Sequence, residues 1–163
     1  MSPATWPMGI RSIRAMSLAK GVCYMSDQPS RPVETAHQWF RYAKGDLLVA
    51  EQALRDDVPA YHTICFLCQG AAEKFLKGYL IAQGWTLEKT HDIVRLLGLC
   101  VQYDAGWGDL AMDGVALNEY IVAGRYPGDL VMEDIGRLEA EEALNAARSI
   151  ATYARRLVTG NSR

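Results

Sequence analysis

Cys65-Phe-Leu-Cys-Gln-Gly-Ala-Ala-Glu-Lys-Phe-Leu-Lys-Gly-Tyr-Leu80 opens with a CxxC and admits two readings. As a motif it would begin a redox or zinc site. As a helix it puts Cys65, Cys68, Ala72, Phe75, Leu76 and Tyr79 on one side, because residues three and four apart share a face. A thioredoxin-type CxxC sits where a strand gives way to a helix N-terminus, whose dipole lowers one thiol pKa, and no strand pattern precedes Cys65. Zinc would require two further ligands. His62 lies one turn away and His91 or Cys100 could close the set, yet structural zinc sites take one CxxC from each of two knuckles. Free cysteine is among the most buried residue types. Both thiols are therefore expected in a core, with no metal and no redox role.

Working outward, the helix runs from about Ala60 to Gln83 and stops at Gly84, a good residue for the left-handed turn that ends helices. Upstream, Ala36, Phe40, Ala43, Leu47, Ala50 and Leu54 recur in steps of three and four, which makes a one-sided helix of about 20 residues starting near Glu34 and ended by Asp56-Asp57-Val58-Pro59. The two form a hairpin. Downstream, Thr90 is placed to cap a short helix carrying Ile93, Leu96, Leu97, Leu99 and Cys100. After the turn-like Asp104–Gly108, the segment LAMDGVALNEYIVAG reads as a short helix broken near Gly114 and ending at Gly124. The last helix, from near Val131 to Val158, has a stripe of Ala143, Ala147, Ile150, Ala154 and Leu157. Glu133 and Asp134 would fall in its first turn and Arg155 and Arg156 in its last, as the helix dipole prefers, and it would be the longest. No stretch alternates with period two. The fold class is all-α: an up-and-down bundle of four main helices plus one short one.

Residues 1–33 hold four prolines and no sustained period, and read as a disordered arm. Met25, opening MSDQPSRPVETAHQWF, also looks like a natural start, so the arm is either a flexible tail or an overextended start. Residues 34–158 form the bundle and 159–163 a disordered tail. From residue 34 onward there are 13 basic and 18 acidic residues, a net charge near −5. Such a body does not grip nucleic acid over a broad surface, and any RNA contact is expected to be local. Four thinly spread cysteines, no export signal and no apolar run of membrane length point to a cytoplasmic protein without a membrane span.

The charged residues carry the functional signal. Gln69, Glu73 and Lys77 are spaced i, i+4, i+8 and form a polar line beside the apolar stripe. It reads either as a solvated face or as the wall of a cleft in which Lys77 and Gln69 meet a phosphate. His91 falls in the first turn of the third helix, at its positive end, as a neutral ring able to accept a proton or bond a ligand, or else simply to cap and pack. Arg125 and Tyr126 precede Pro127, which stiffens the turn. The guanidinium could fork onto a phosphate and the ring could stack a base, or the arginine could pair with helix ends.

Together, WFRYAKGDLLVAEQAL, CFLCQGAAEKFLKGYL, THDIVRLL and LNEYIVAGRYPGD, in that order and followed by an Ala-rich helix, resemble the HEPN domain, the higher-eukaryote and prokaryote nucleotide-binding domain. The resemblance spans about residues 34–158. It implies a four- to five-helix bundle, usually a homodimer, often encoded beside a small nucleotidyltransferase in toxin–antitoxin or defence-like pairs. Many such proteins are metal-independent ribonucleases whose signature is an arginine, a polar residue, three to five further residues and then a histidine, near the start of the last long helix. Here Arg125 is followed by YPGDLVMEDIGRLEAEE, with no histidine, and neither Arg137 nor Arg148 is followed by one. The expected function is thus binding of a nucleotide, or of a partner nucleotidyltransferase, through Gln69, Glu73, Lys77, His91, Arg125 and Tyr126, without a cofactor. The alternatives are a ribonuclease with a rearranged centre, using His91 as acid or base and Arg125 for charge, and a purely structural dimerisation module.

Overall fold

The structure, a computed structural model, describes residues 31–120 and 135–160. Helices α1 (Arg31–Arg55) and α2 (Tyr61–Ala82) form the expected hairpin. Next come α3 (Ile93–Val101), a 3-10 turn (Ala105–Leu110), α4 (Ala111–Asn118) and a long α5 (Arg137–Gly160). There is no strand among the described residues, and no helix among them is long and apolar enough to cross a membrane. The six residues of the α1 stripe are the six it buries. That face packs on α2, which also packs against α5, α3 and α4, so α2 is the central element of the bundle.

Local chemistry sets the helix ends. Asp57 adopts a left-handed φ of 55° where α1 ends, and the amide of Val58 donates back to the carbonyl of Ala53. Gly84, with φ 86°, lets the Trp85 amide return to Leu80 at 3.0 Å, satisfying a carbonyl that the end of α2 would leave free. Asp92, and not Thr90, caps α3: its Oδ1 accepts from the Arg95 amide at 2.9 Å, while Thr90 Oγ1 accepts from the Asp92 amide. Before α5, Glu139 reaches back to accept from the Gly136 amide, half of a capping box.

Several expected boundaries shift. α1 begins three residues before position 34, with Pro32 in its first turn, where its missing N–H costs nothing. α5 starts at Arg137 after two non-helical residues, so Glu139 takes the first-turn place expected of Glu133 and Asp134. It extends to Gly160, beyond the boundary at 158, which leaves Arg155 and Arg156 one turn short of its end. At 24 residues it is shorter than α1, which has 25. Gly114 does not break its helix. It is buried inside α4, where a Cβ would stand 2.1 Å from Leu97 Cδ1, so the glycine serves close approach of α3 and α4. The expected end at Gly124 lies outside the described residues.

Cys65, Cys68 and Cys100 are fully buried, as the helical spacing implied. Burial pushes the thiols of Cys65 and Cys68 up to about 12, and that of Cys100 higher still, so none is an available thiolate. Trp107, on the 3-10 turn, is also fully buried and packs between the rings of Tyr79 at 5.0 Å and Tyr153 at 4.8 Å. Tyr153 donates to Asp104 at 2.6 Å, tying α5 to that turn. Gly78 marks the tightest contact of the hairpin. A Cβ there would lie 2.7 and 2.9 Å from the ring of Phe40, itself packed on Phe75 at 5.1 Å.

Gly78→Ala is therefore expected to lower the stability by about 1–3 kcal/mol, although alanine is the better helix former, because a rigid ring must move. Gly45→Ala, with open space around the new methyl group, should raise it by roughly 0.5–1 kcal/mol. Urea unfolding of the two variants, read against the parent, checks both signs.

Candidate functional site

The polar line on α2 is neither a solvated face nor an open cleft wall. Gln69, Glu73 and Lys77 are all buried. Lys77 Nζ donates to Glu73 Oε1 at 2.7 Å, and Gln69 Nε2 donates to Glu73 Oε2 at 3.3 Å and to the His91 carbonyl at 3.4 Å. His91 Nδ1 lies 3.0 Å from Glu73 Oε2 and 3.2 Å from Oε1. The other face of Lys77 is covered by Trp39 of α1, whose ring centroid is 5.9 Å from Nζ. Four of the six expected binding residues thus meet around a single carboxylate. Arg125 and Tyr126 lie outside the described residues.

His91 sits just before the cap of α3 and not in its first turn. Its ring is held by Glu73, across the gap between α2 and the start of α3. A carboxylate can only accept, so the nitrogen that faces it carries the proton. In the neutral ring Nε2 is then the acceptor. The side chain of His91 is 53% exposed, against 12% for Glu73 and 6% for Lys77. The network therefore shows one face to solvent, and that face is imidazole.

Burial by itself would push the Glu73 carboxyl up. Hydrogen bonds from Lys77 and His91, with the charges of those groups, outweigh it and hold the carboxyl below its ordinary 4.5. Glu73 is thus ionised at neutral pH, matched by the Lys77 ammonium. An internal carboxylate that fixes one imidazole nitrogen and leaves the other free is the arrangement by which proteins orient a histidine for proton transfer or ligand contact. Among the described residues, no group of three or more His, Cys, Asp or Glu side chains is placed to hold a metal.

Sequence reasoning missed Trp39. It lies beside the apolar stripe of α1 and no spacing rule ties it to Lys77; only the packing of α1 on α2 brings the ring over the ammonium. The ion pair between Lys74 and Asp46, at 2.6 Å, was equally invisible, since it joins residues 28 positions apart. It fastens the outer side of the same hairpin.

A helical bundle organised around a central helix with an internal Gln–Glu–Lys line and a histidine at its edge defines the class. The chain belongs to the HEPN family: the HEPN domain model matches residues 36–157. Among solved structures it is similar to TT1696 from Thermus thermophilus, with 31% identity over 74% of this chain and 95% of that one and a TM-score of 0.65. It is also similar to ST0689, an archaeal HEPN homologue, with 25% identity over 76% of this chain and 97% of that one and a TM-score of 0.61. No protein of curated function matches the chain.

The internal network makes two expectations. Glu73→Leu alone strands a buried ammonium and should cost about 3–5 kcal/mol, while Glu73→Leu/Lys77→Met should recover most of that loss. The pH dependence follows from the depressed carboxyl. Because the folded pKa is below the unfolded one, the contribution of Glu73 is fully present above the unfolded value near 4.5 and is lost as pH falls through the folded value. Urea unfolding of the parent and Glu73→Gln from about pH 6 down to pH 3 should show the parent losing its advantage over that acidic window.

Proposed function

We propose that this chain binds a nucleotide at the solvent edge of the Glu73–His91 pair. His91 Nε2 makes the contact there, Arg125 and Tyr126 supply phosphate and base contacts, and Gln69, Glu73 and Lys77 hold the imidazole in place. The observation that carries this reading is the buried Lys77–Glu73 ion pair beneath a half-exposed histidine. Desolvating two charges is an inefficient way to stabilise a bundle, since apolar residues of similar volume do as well or better. Such a pair is warranted where a ligand or reacting group must be presented in one orientation. In this reading the chain acts as a homodimer beside a partner nucleotidyltransferase, as the HEPN half of a toxin–antitoxin or defence-like pair in the cytoplasm.

Titration with nucleoside triphosphates should give saturable binding. His91→Ala and Arg125→Ala should each weaken it by roughly tenfold or more, the scale of losing one charged or well-oriented hydrogen bond. Affinities unchanged in both variants would sink the site. Light scattering that finds a single-chain mass would remove the homodimer. A tight complex on co-expression with the neighbouring gene product, without nucleotide binding, would leave a structural module instead.

The same geometry favours one second reading, metal-independent cleavage of RNA. With Nδ1 held by Glu73, Nε2 could take the proton of a ribose 2′-hydroxyl as that oxygen bonds to the adjacent phosphorus. The bond from phosphorus to the 5′-oxygen then breaks, water protonates the departing oxygen, a cyclic phosphate remains, and Arg125 neutralises charge on the phosphate. RNA cleavage in the presence of a chelator, abolished in His91→Ala and reduced in Glu73→Gln, is the expected result of that reading. Cleavage that persists in His91→Ala rules it out.

A further inference from the structure

A second feature lies on the other side of the hairpin. Between α1 and the C-terminal half of α5 runs a groove of about 530 Å3, into which Arg41 and Lys44 project from α1 and Arg155 from α5. It continues past Lys44 and Arg155 into a cavity of about 310 Å3 that ends at Arg148. In a body whose net charge is near −5, this concentration of cations is local and two-sided.

Five cations of the bundle are paired: Lys74 with Asp46, Lys77 with Glu73, Arg95 with Glu88, Arg137 with Asp57 and Glu141, and Arg148 with Glu51. Arg41, Lys44 and Arg155 form no ion pair among the described residues, although all three are exposed. Arg31, Arg55, Lys89 and Arg156 form no ion pair among the described residues either, but they do not line this groove. Arg155 is also held in place. Its Nε donates to the Ala151 carbonyl at 3.1 Å and its Cζ lies 5.9 Å from the centroid of the Phe75 ring, which leaves the terminal nitrogens free. Glu34, at the outer mouth, is the acidic residue facing the larger groove, and Glu51 at the far end is taken up by Arg148.

We infer that this groove binds a chain of successive phosphate groups, through Arg41, Lys44 and Arg155. The length of the groove favours several phosphates over one: Lys44 and Arg155 face both cavities, Arg41 stands a turn before Lys44, and the groove runs on toward Arg148, seven residues or roughly 10 Å along α5 from Arg155. The lining decides against base recognition. Phe40 and Phe75 line it but are buried, and His37, at the Glu34 end, is the one exposed ring among its lining residues, so successive bases have no row of rings to stack on. The ligand is read as phosphate alone, whether it comes as inorganic polyphosphate or as the backbone of a single strand. The groove shares no residue with the His91 site and stands independently of the reading given to it.

The test is fluorescence anisotropy of a labelled oligo-uridine strand at about 50 mM salt, with inorganic polyphosphate as competitor. Saturable binding is expected, displaced by polyphosphate. Arg41→Gln/Lys44→Gln/Arg155→Gln should weaken it by at least about tenfold, and losing two cations, in Arg41→Gln/Lys44→Gln, should flatten the log–log salt slope by about 1.4. Arg155→Lys should retain most of the affinity, and Arg95→Gln, which removes a charge from α3, should retain all of it. Polyphosphate that binds where the strand does not would assign the inorganic ligand. Binding that persists in the triple variant, that polyphosphate cannot displace, or that is absent altogether overturns the inference. Circular dichroism of each variant confirms that these exposed substitutions leave the bundle folded.

Discussion

Helix α2 is covered by α1, α3, α4 and α5, and this enclosure is the constraint to which the rest of the structure answers. A helix packed on so many sides cannot keep its polar residues in water. The Gln69–Glu73–Lys77 line must therefore be satisfied from within, and the side chains do so mutually: ammonium and amide donate to one carboxylate, the aromatic face of Trp39 covers the ammonium, and His91 closes the remaining side. Removing Glu73 or Lys77 alone leaves a buried charge without its partner. Once those polar residues are present the network satisfies them inside the bundle, and His91 is its outlet to solvent.

The same enclosure explains the tight places in the hairpin. α1 can approach α2 closely only because Gly78 leaves room for the Phe40 ring, and that approach also places Trp39 over Lys77. Small residues and the polar network are therefore coupled. α5 covers another side of α2 with alanines, among them Ala143, Ala147 and Ala154, which keeps the two long helices near one another. It then carries Arg155 alongside α1, where it forms no ion pair among the described residues. One packing arrangement so produces two unlike chemical surfaces: a histidine held by an internal acid, and an unpaired basic groove.

Two kinds of cation in this protein follow from that geometry. Lys77 is desolvated and must be matched, so its charge is spent internally. Arg41, Lys44 and Arg155 remain in water, where leaving a charge unpaired costs little, and are free for an external anion. The small negative net charge of the chain conceals this division, because it averages groups whose surroundings differ completely.

The helices, their hairpin, the burial of Cys65 and Cys68 and the six-residue stripe of α1 could be read from spacing alone. Each depends on periodicity within one element, and a helix buried on one side writes that periodicity plainly. Gln69, Glu73, Lys77 and His91 could be marked as unusual, and their order tied to a family, but not their surroundings. Whether a polar line on a helix is wet or buried depends on what neighbouring helices cover it. The covers here are Trp39 and His91, 38 and 18 positions from the residues they meet, Lys77 and Glu73. Gly114 reads as a break because a glycine weakens any helix, while its use is to admit Leu97 from α3. The basic groove left no local trace, since its cations come from opposite ends of the chain. Sequence determined which segments are helices and which faces are apolar, because those are properties of one segment. Tertiary structure alone decided which charges are paired and which stand open, because that depends on contacts made across the chain.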